Sequence, residues 1–165
     1  MLVALISDTH LPKGSRRLPE RCVELLRGSD LIVHAGDWST LAVVEEIRAI
    51  GPPVQGVHGN VDAADVRTRL PSELSIDVGG PNLAVVHDAG PRAGRLDRMR
   101  GRFPDAVAVV FGHSHIPLRE QADDGFQIFN PGSPTERRRA PAHTMGLATV
   151  EGSTVEFALI PYTAS

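Results

Sequence analysis

The stretch FGHSHIP, residues 111–117, sets two imidazoles, His113 and His115, one residue apart directly after an apolar run. On an extended segment such a pair projects to the same side. That is useful for binding a metal ion, but a solvated polar turn would look the same. Other apolar runs in the chain decide between the two, because they end alike. LVALIS is followed by Asp8 and His10, LIVHAG by Asp37, VQGVHG by Asn60 and Asp62, and LAVV by His87.

The elements that must position these residues follow from the apolar pattern. Residues 2–7, 30–36 and 54–57 read as short buried strands. Residues 18–28 and 40–51 have helical spacing, and each ends in Gly. This β-α-β-α-β order is the mark of a parallel sheet with crossover helices. In the second half, ELSIDV (73–78) and LAVVH (83–87) flank a GGPN turn and read as a hairpin. A helix is expected over 92–103 and a buried strand over 106–112. IPLREQ, FQIF, MGLATV and TVEFALI read as further short strands. The expected architecture is α/β, two sheets facing each other with helices outside.

In open α/β sheets the carboxyl ends of the strands line one crevice. Five strand ends therefore deliver Asp8, His10, Asp37, Asn60, His87, His113 and His115 to one place. Asp and Asn are common in turns for local reasons, but seven such residues at strand ends are hard to explain that way. Oxygen and nitrogen donors without a thiolate suit manganese, iron, zinc, nickel or cobalt. Seven donors exceed the needs of one ion and fit two ions sharing a carboxylate, about 3.5–4 Å apart. Two dications, two aspartates and a hydroxide leave a net charge of about +1, suited to a phosphate ester. The glycines before Asp37, Asn60 and His113 let backbone approach closely.

Bulk properties exclude other classes. The 165 residues suffice for one domain, 1–165, and are short for two. A formal net charge of -3 argues against a partner of long nucleic acid. Cys22 is the only cysteine, so an intrachain disulfide is impossible and a cytoplasmic, reducing location is expected. MLVALIS lacks the basic start and the length of a signal peptide. No run approaches the roughly 20 apolar residues of a membrane span, so no membrane partner is expected.

Taken in order, D-x-H (Asp8, His10), G-D (Gly36, Asp37), G-N-x-D (59–62), His87 and G-H-x-H (112–115) resemble the motifs of calcineurin-like metallophosphoesterases. The short chain, GNVD and NPGSPT (130–135) look like the small prokaryotic phosphodiesterase branch, which also contains the retromer-subunit relatives. The resemblance implies a four-layer α/β/β/α sandwich of two mixed sheets flanked by helices. It implies two divalent metal ions, manganese first among those named. Asp8, His10 and His115 match the ligands of one ion, and Asn60, His87 and His113 those of the other. Asp37 matches the bridging carboxylate. Asn60 would also contact the substrate phosphate, and the nucleophile would be a metal-bridging hydroxide attacking phosphorus in line. The implied activity is phosphodiester hydrolysis of a small substrate. A phosphomonoesterase or nucleotide pyrophosphatase with the same site is the alternative, and a non-catalytic scaffold like the retromer subunit the more distant one. A homo-oligomer is compatible with all three.

Val61 stands where many larger members carry a histidine thought to protonate the leaving group, which points to good leaving groups, another acid or modest turnover. His58 is a candidate acid, though a hydrogen-bonded histidine at a strand end is the commoner case. Asp62 and Asp88 are expected to orient neighbouring site groups, with turn capping as the alternative for each. His34 reads as a satisfied core residue, and Asn130 and Ser133 as hydrogen-bonders in a loop beside the site. Two arginine groups, within 92–102 and 137–139, could hold the distal part of a phosphorylated substrate; a solvated face is the commoner reason for such runs.

Overall fold

The first strand, β1 (Leu2–Ile6), is apolar on both sides, and the computed structural model, which describes residues 1–162, shows why. Val3 and Leu5 enter a core shared by two sheets, whereas Ala4 and Ile6 meet helices on the other face. A strand covered on both faces has no solvent side on which to alternate.

In chain order the elements are β1, α1 (Glu20–Arg27), β2 (Leu31–His34), α2 (Leu41–Arg48), β3 (Val54–Gly56), α3 (Ala64–Arg69), β4 (Glu73–Asp77) and β5 (Asn82–Val86). There follow α4 (Arg95–Arg102), β6 (Ala108–Val110), β7 (Leu118–Gln121), β8 (Gln127–Asn130), β9 (His143–Glu151) and β10 (Thr154–Tyr162). One sheet has the order β10-β9-β1-β2-β3, the other β4-β5-β6-β8-β7. β1, β2 and β3 run parallel, Val3 opposite Leu31 and Ile32 opposite Val54, and the antiparallel β9–β10 hairpin extends this sheet. In the second sheet β5, β6 and β8 are parallel, with β4 and β7 antiparallel at its edges. Both sheets are mixed.

Leu5, Val33, Leu83, Val85, Val110 and Phe129 fill the space between the sheets, where Phe129 stacks on Phe157 at 4.6 Å. Cys22 and Leu26 of α1, Val43, Val44 and Ile47 of α2 and Val66 of α3 cover the outer face of the first sheet. Met99 of α4 packs on Ala84, Val109, Phe111 and Ile128 of the second. This is the four-layer α/β/β/α sandwich. The helices are trimmer than the apolar spacing suggested, and α3 was not expected at all. Only Val66 of its six residues is buried, so it carries no periodic stripe. No helix among the described residues is long and apolar enough to cross a membrane.

The parallel connections place the carboxyl ends of β1, β2, β3, β5 and β6 at one end of the sandwich. All seven residues expected at strand ends occur in the loops that leave these five strands.

Candidate metal centre

The loop after β1 and the loop after β2 run side by side. Asp8 N donates to Gly36 O at 2.9 Å, His10 N to Asp37 O at 3.1 Å and Leu11 N to Trp38 O at 3.2 Å. This brings Asp8, His10 and Asp37 together. Asp8 is fully buried and Asp37 is 2% exposed. The loop after β6 joins them, with His113 N donating to the Asp8 carboxylate at 3.0 Å.

Five of the site residues, Asp8, His10, Asp37, His113 and His115, have φ between +44° and +69°. For residues with a Cβ this left-handed region costs about 1–3 kcal/mol each, and such strain gathers at sites that the surrounding structure over-determines. The glycines do the work expected of them. A Cβ on Gly59 would collide with the Asp37 side chain, one on Gly36 would lie 2.6 Å from His87 Nδ1, and one on Gly112 would lie 2.7 Å from Asp8 Oδ2. Gly112→Ala is therefore expected to displace Asp8 and weaken any divalent-metal binding at this cluster by about 10–100-fold, measurable by calorimetric titration. Unchanged affinity would show that the close approach is unimportant.

Two histidines are fixed by backbone carbonyls. His87 Nδ1 lies 2.8 Å from Ala35 O, and His115 Nδ1 lies 2.7 Å from Glu136 O. A carbonyl only accepts, so each Nδ1 carries the proton and each Nε2 presents its lone pair to the site. His87 Nε2 faces Asp37 Oδ2 at 3.2 Å and Asn60 Oδ1 at 3.1 Å. His115 Nε2 faces Asp8 Oδ1 at 3.4 Å and His10 Nε2 at 3.1 Å. His113 Nδ1 lies 3.0 Å from Asn60 Oδ1. Acceptors thus converge on acceptors, an arrangement that protons or a cation must hold together. The donor set fits divalent metal, with ligand atoms of Asp8, His10 and His115, and again of Asp8, Asp37 and His87, all within 4.8 Å of one another. Asp8 belongs to both groups. Asp37 Oδ2, however, lies between the two histidine sets, 3.6 Å from His10 Nε2 and 3.2 Å from His87 Nε2.

The electrostatics agree with a site built around positive charge. Burial pushes the Asp8 carboxyl up to about 7 and His115 down to about 4, and burial also lowers His10. Burial works against the charged forms of Asp37 and His87 as well. Their mutual hydrogen bond and attraction outweigh it, holding Asp37 below and His87 above their ordinary values. Without metal, burial thus disfavours the charged form of the Asp8 carboxyl, and the Asp37 carboxylate favours the charged form of His87; a cation would relieve the first and take over the second role.

Supporting groups surround this cluster. Asp62, 4% exposed, accepts the N–H groups of Gly59 (2.7 Å), Ser39 (2.7 Å) and Asp37 (3.2 Å), so it pins two site loops through their backbone. Asp88 does not orient a site group. It is exposed and accepts Gly90 N–H at 2.7 Å, the turn-capping role, because the chain turns outward after His87. His34 is buried against Trp38, accepts Gly36 N–H at Nδ1 and meets Thr9 Oγ1 at Nε2, a satisfied core histidine. His58 is half-buried, its Nδ1 3.4 Å from Gly59 O. Asn130 donates to Gly112 O at 2.9 Å and Ser133 to Asp8 O at 2.8 Å, tying their loop to the site. Sequence reasoning missed Arg67, on the unexpected α3, which clamps the carbonyls of Asn60 and Asp62.

The model of the calcineurin-like phosphoesterase superfamily domain matches residues 1–153, and the chain belongs to that superfamily. It is 28% identical over 162 residues to a probable metallophosphoesterase of Methanothermobacter thermautotrophicus, covering 97% of this chain and 92% of that protein. It is 30% identical over 164 residues to a probable metallophosphoesterase of Methanocaldococcus jannaschii, covering 98% and 81%. A phosphodiesterase of the same archaeon is 20% identical over 145 residues, 80% of this chain and 83% of that protein. Among solved structures, Vps29 of Chaetomium thermophilum has a TM-score of 0.78 at 20% identity, covering 99% of this chain and 95% of that one. Vps29 of Entamoeba histolytica, solved with Zn²⁺, has a TM-score of 0.77 at 21% identity, covering 98% and 99%.

Proposed function

We propose that the chain is a phosphodiesterase that depends on two divalent metal ions and acts on small phosphodiesters in the cytoplasm. One observation carries this reading: His87 and His115 are each locked by a backbone carbonyl so that Nε2 faces carboxylate and amide oxygens across a strained, close-packed site. Asp8, His10 and His115 would hold one ion and Asn60, His87 and His113 the other, with Asp37 between them. Manganese is the first choice, and the Zn²⁺ held by one structural neighbour keeps zinc among the candidates. Divalent ions bound there supply Lewis acidity toward phosphoryl oxygens and lower the pKa of water.

The chain's own groups do the rest. Asn60 is exposed at the mouth and turns Oδ1 toward His87 and His113, leaving its amide N–H groups for a phosphate oxygen. Val61, 49% exposed beside it, offers no proton to a leaving group. Substrates whose leaving oxygen departs without an acid at that position suit such a site, and the phosphodiesterase relative supports a diester.

The test is to strip metal with chelator, restore Mn²⁺, and compare hydrolysis of bis(p-nitrophenyl) phosphate with that of p-nitrophenyl phosphate. Mn²⁺-dependent diester cleavage that falls about 10²-fold or more in Asn60→Ala and His113→Ala is expected. A monoester preference would replace the reading with a phosphomonoesterase. Metal binding without any turnover would leave a metal-loaded binding module.

A further inference from the structure

The loop after β3 is held by its peptide groups as firmly as by its side chains. Val61 N–H donates to Asp37 Oδ1 at 3.0 Å, and the carbonyl of the same peptide unit, Asn60 O, receives Arg67 Nη2. Two residues on, Ala63 N–H donates to Ser39 O at 3.0 Å. The carbonyl of that peptide unit, Asp62 O, receives Arg67 Nε at 3.0 Å. A trans peptide unit is planar, with its N–H and C=O on opposite sides, so a hydrogen bond at each end fixes its orientation. Both N–H ends are taken by the loop after β2, and both C=O ends by one guanidinium. Held in this way, Asn60 has its side chain aimed before Oδ1 meets His87 Nε2 at 3.1 Å and His113 Nδ1 at 3.0 Å.

The helix that carries Arg67 is anchored although it is short. Val66 of α3 is fully buried beneath the first sheet, and the N–H groups of Val66 and Arg67 both reach Ala63 O at 3.1 Å. Arg67 thus starts from a fixed point five residues beyond Asp62 and folds back over the loop. The arginines that stand out in the sequence have other partners. Arg95 and Arg98 bind carbonyls of residues 89–93, Arg100 pairs with Asp124, Arg102 pairs with Glu73, and Arg137 binds Ala140 O. Those partners lie outside the cluster, whereas Arg67 binds the backbone of a site residue directly.

We infer that Arg67 is a positioning residue for the metal centre. It holds the Asn60–Val61 peptide unit so that Asn60 Oδ1 faces the two histidines and Val61 N–H stays on the Asp37 carboxylate. One peptide plane thereby links a group at the mouth of the site to the carboxylate between the two histidine sets. Two carbonyls two residues apart need a rigid fork of donors, which a guanidinium has and an ammonium lacks. Arg67 acts through Asn60 and Asp37 and takes no part in the chemistry itself. The inference rests on the proposed two-ion reading for its effect on metal, and on the hydrogen bonds alone for its effect on the loop.

The test compares Arg67→Met and Arg67→Lys with wild type and with Arg69→Gln, an exposed arginine at the end of the same helix. In metal-free protein, hydrogen exchange should show loss of protection over residues 59–63 in Arg67→Met, with β1 and β2 exchanging as in wild type. Calorimetric titration should show Mn²⁺ affinity falling about 10-fold or more in Arg67→Met, the scale of removing a group that orients a metal ligand. Arg67→Lys keeps the charge without the fork and should recover only part of both, while Arg69→Gln should match wild type. Wild-type protection over 59–63 in Arg67→Met, wild-type Mn²⁺ affinity in it, or the same losses in Arg69→Gln would overturn the inference. Exchange that rises equally in β1 and β2 would overturn it too, since the loss would then be one of folding. Failure of wild type to bind Mn²⁺ would remove the inference together with the two-ion reading. The expected exchange and affinity pattern, with no hydrolysis of bis(p-nitrophenyl) phosphate by wild type, would leave the positioning role standing and remove the proposed activity.

Discussion

Asp37→Asn is expected to lower Mn²⁺-dependent diester hydrolysis by about 10³-fold or more, on the scale of losing a preorganised electrostatic stabiliser. The substitution keeps the shape of the side chain, so Oδ1 can still accept Val61 N–H, found at 3.0 Å. It removes the negative charge that sits 3.2 Å from His87 Nε2 and 3.6 Å from His10 Nε2. Both proposed ligand groups would therefore lose the anion placed between them, and the number of ions bound per chain is expected to fall below two. Calorimetric metal titration beside the rate assay checks both statements. A variant that still binds two ions and turns over at the wild-type rate would show that Asp37 is not shared between them.

Trp38→Ala should be the most damaging substitution for stability near the site, at about 3–5 kcal/mol. Trp38 is 1% exposed, stacks on His34 with ring centroids 3.6 Å apart, and donates from Nε1 to Val57 O at 2.8 Å. Truncation would leave a cavity beneath the loop that carries Asp37, a buried carbonyl without its donor, and His34 without its stacking partner. Trp38→Phe should recover much of the packing but not the hydrogen bond. Chemical denaturation of both variants gives the comparison, and a loss under about 1 kcal/mol in Trp38→Ala would contradict the packing argument.

Much of this was legible in the sequence for a physical reason. Strands β1 and β2 are covered on both faces, so they appear as unbroken apolar runs, and whatever follows such a run lies at a strand end. That is how Asp8, His10, Asp37, Asn60, His87, His113 and His115 could be picked out together. Gly36, Gly59 and Gly112 were legible too, since each precedes a site residue and leaves no room for a Cβ. The remainder depends on contacts that residue types do not announce. The anchors of His87 and His115 are the carbonyls of Ala35 and Glu136, and any residue supplies a carbonyl. The left-handed backbone of five site residues comes from the packing of loops against one another. Arg67 acts from a helix with one buried residue, too short to show a period. Asp62 and Asp88 look alike in sequence, yet one faces three inward-pointing N–H groups and the other a solvent-exposed turn.

The most direct test of the two-ion site is anomalous diffraction from crystals of the wild-type protein grown with Mn²⁺. Two peaks are expected, one bounded by Asp8, His10 and His115 and one by Asn60, His87 and His113, with the Asp37 carboxylate between them. A single peak, or manganese bound only elsewhere, would contradict it.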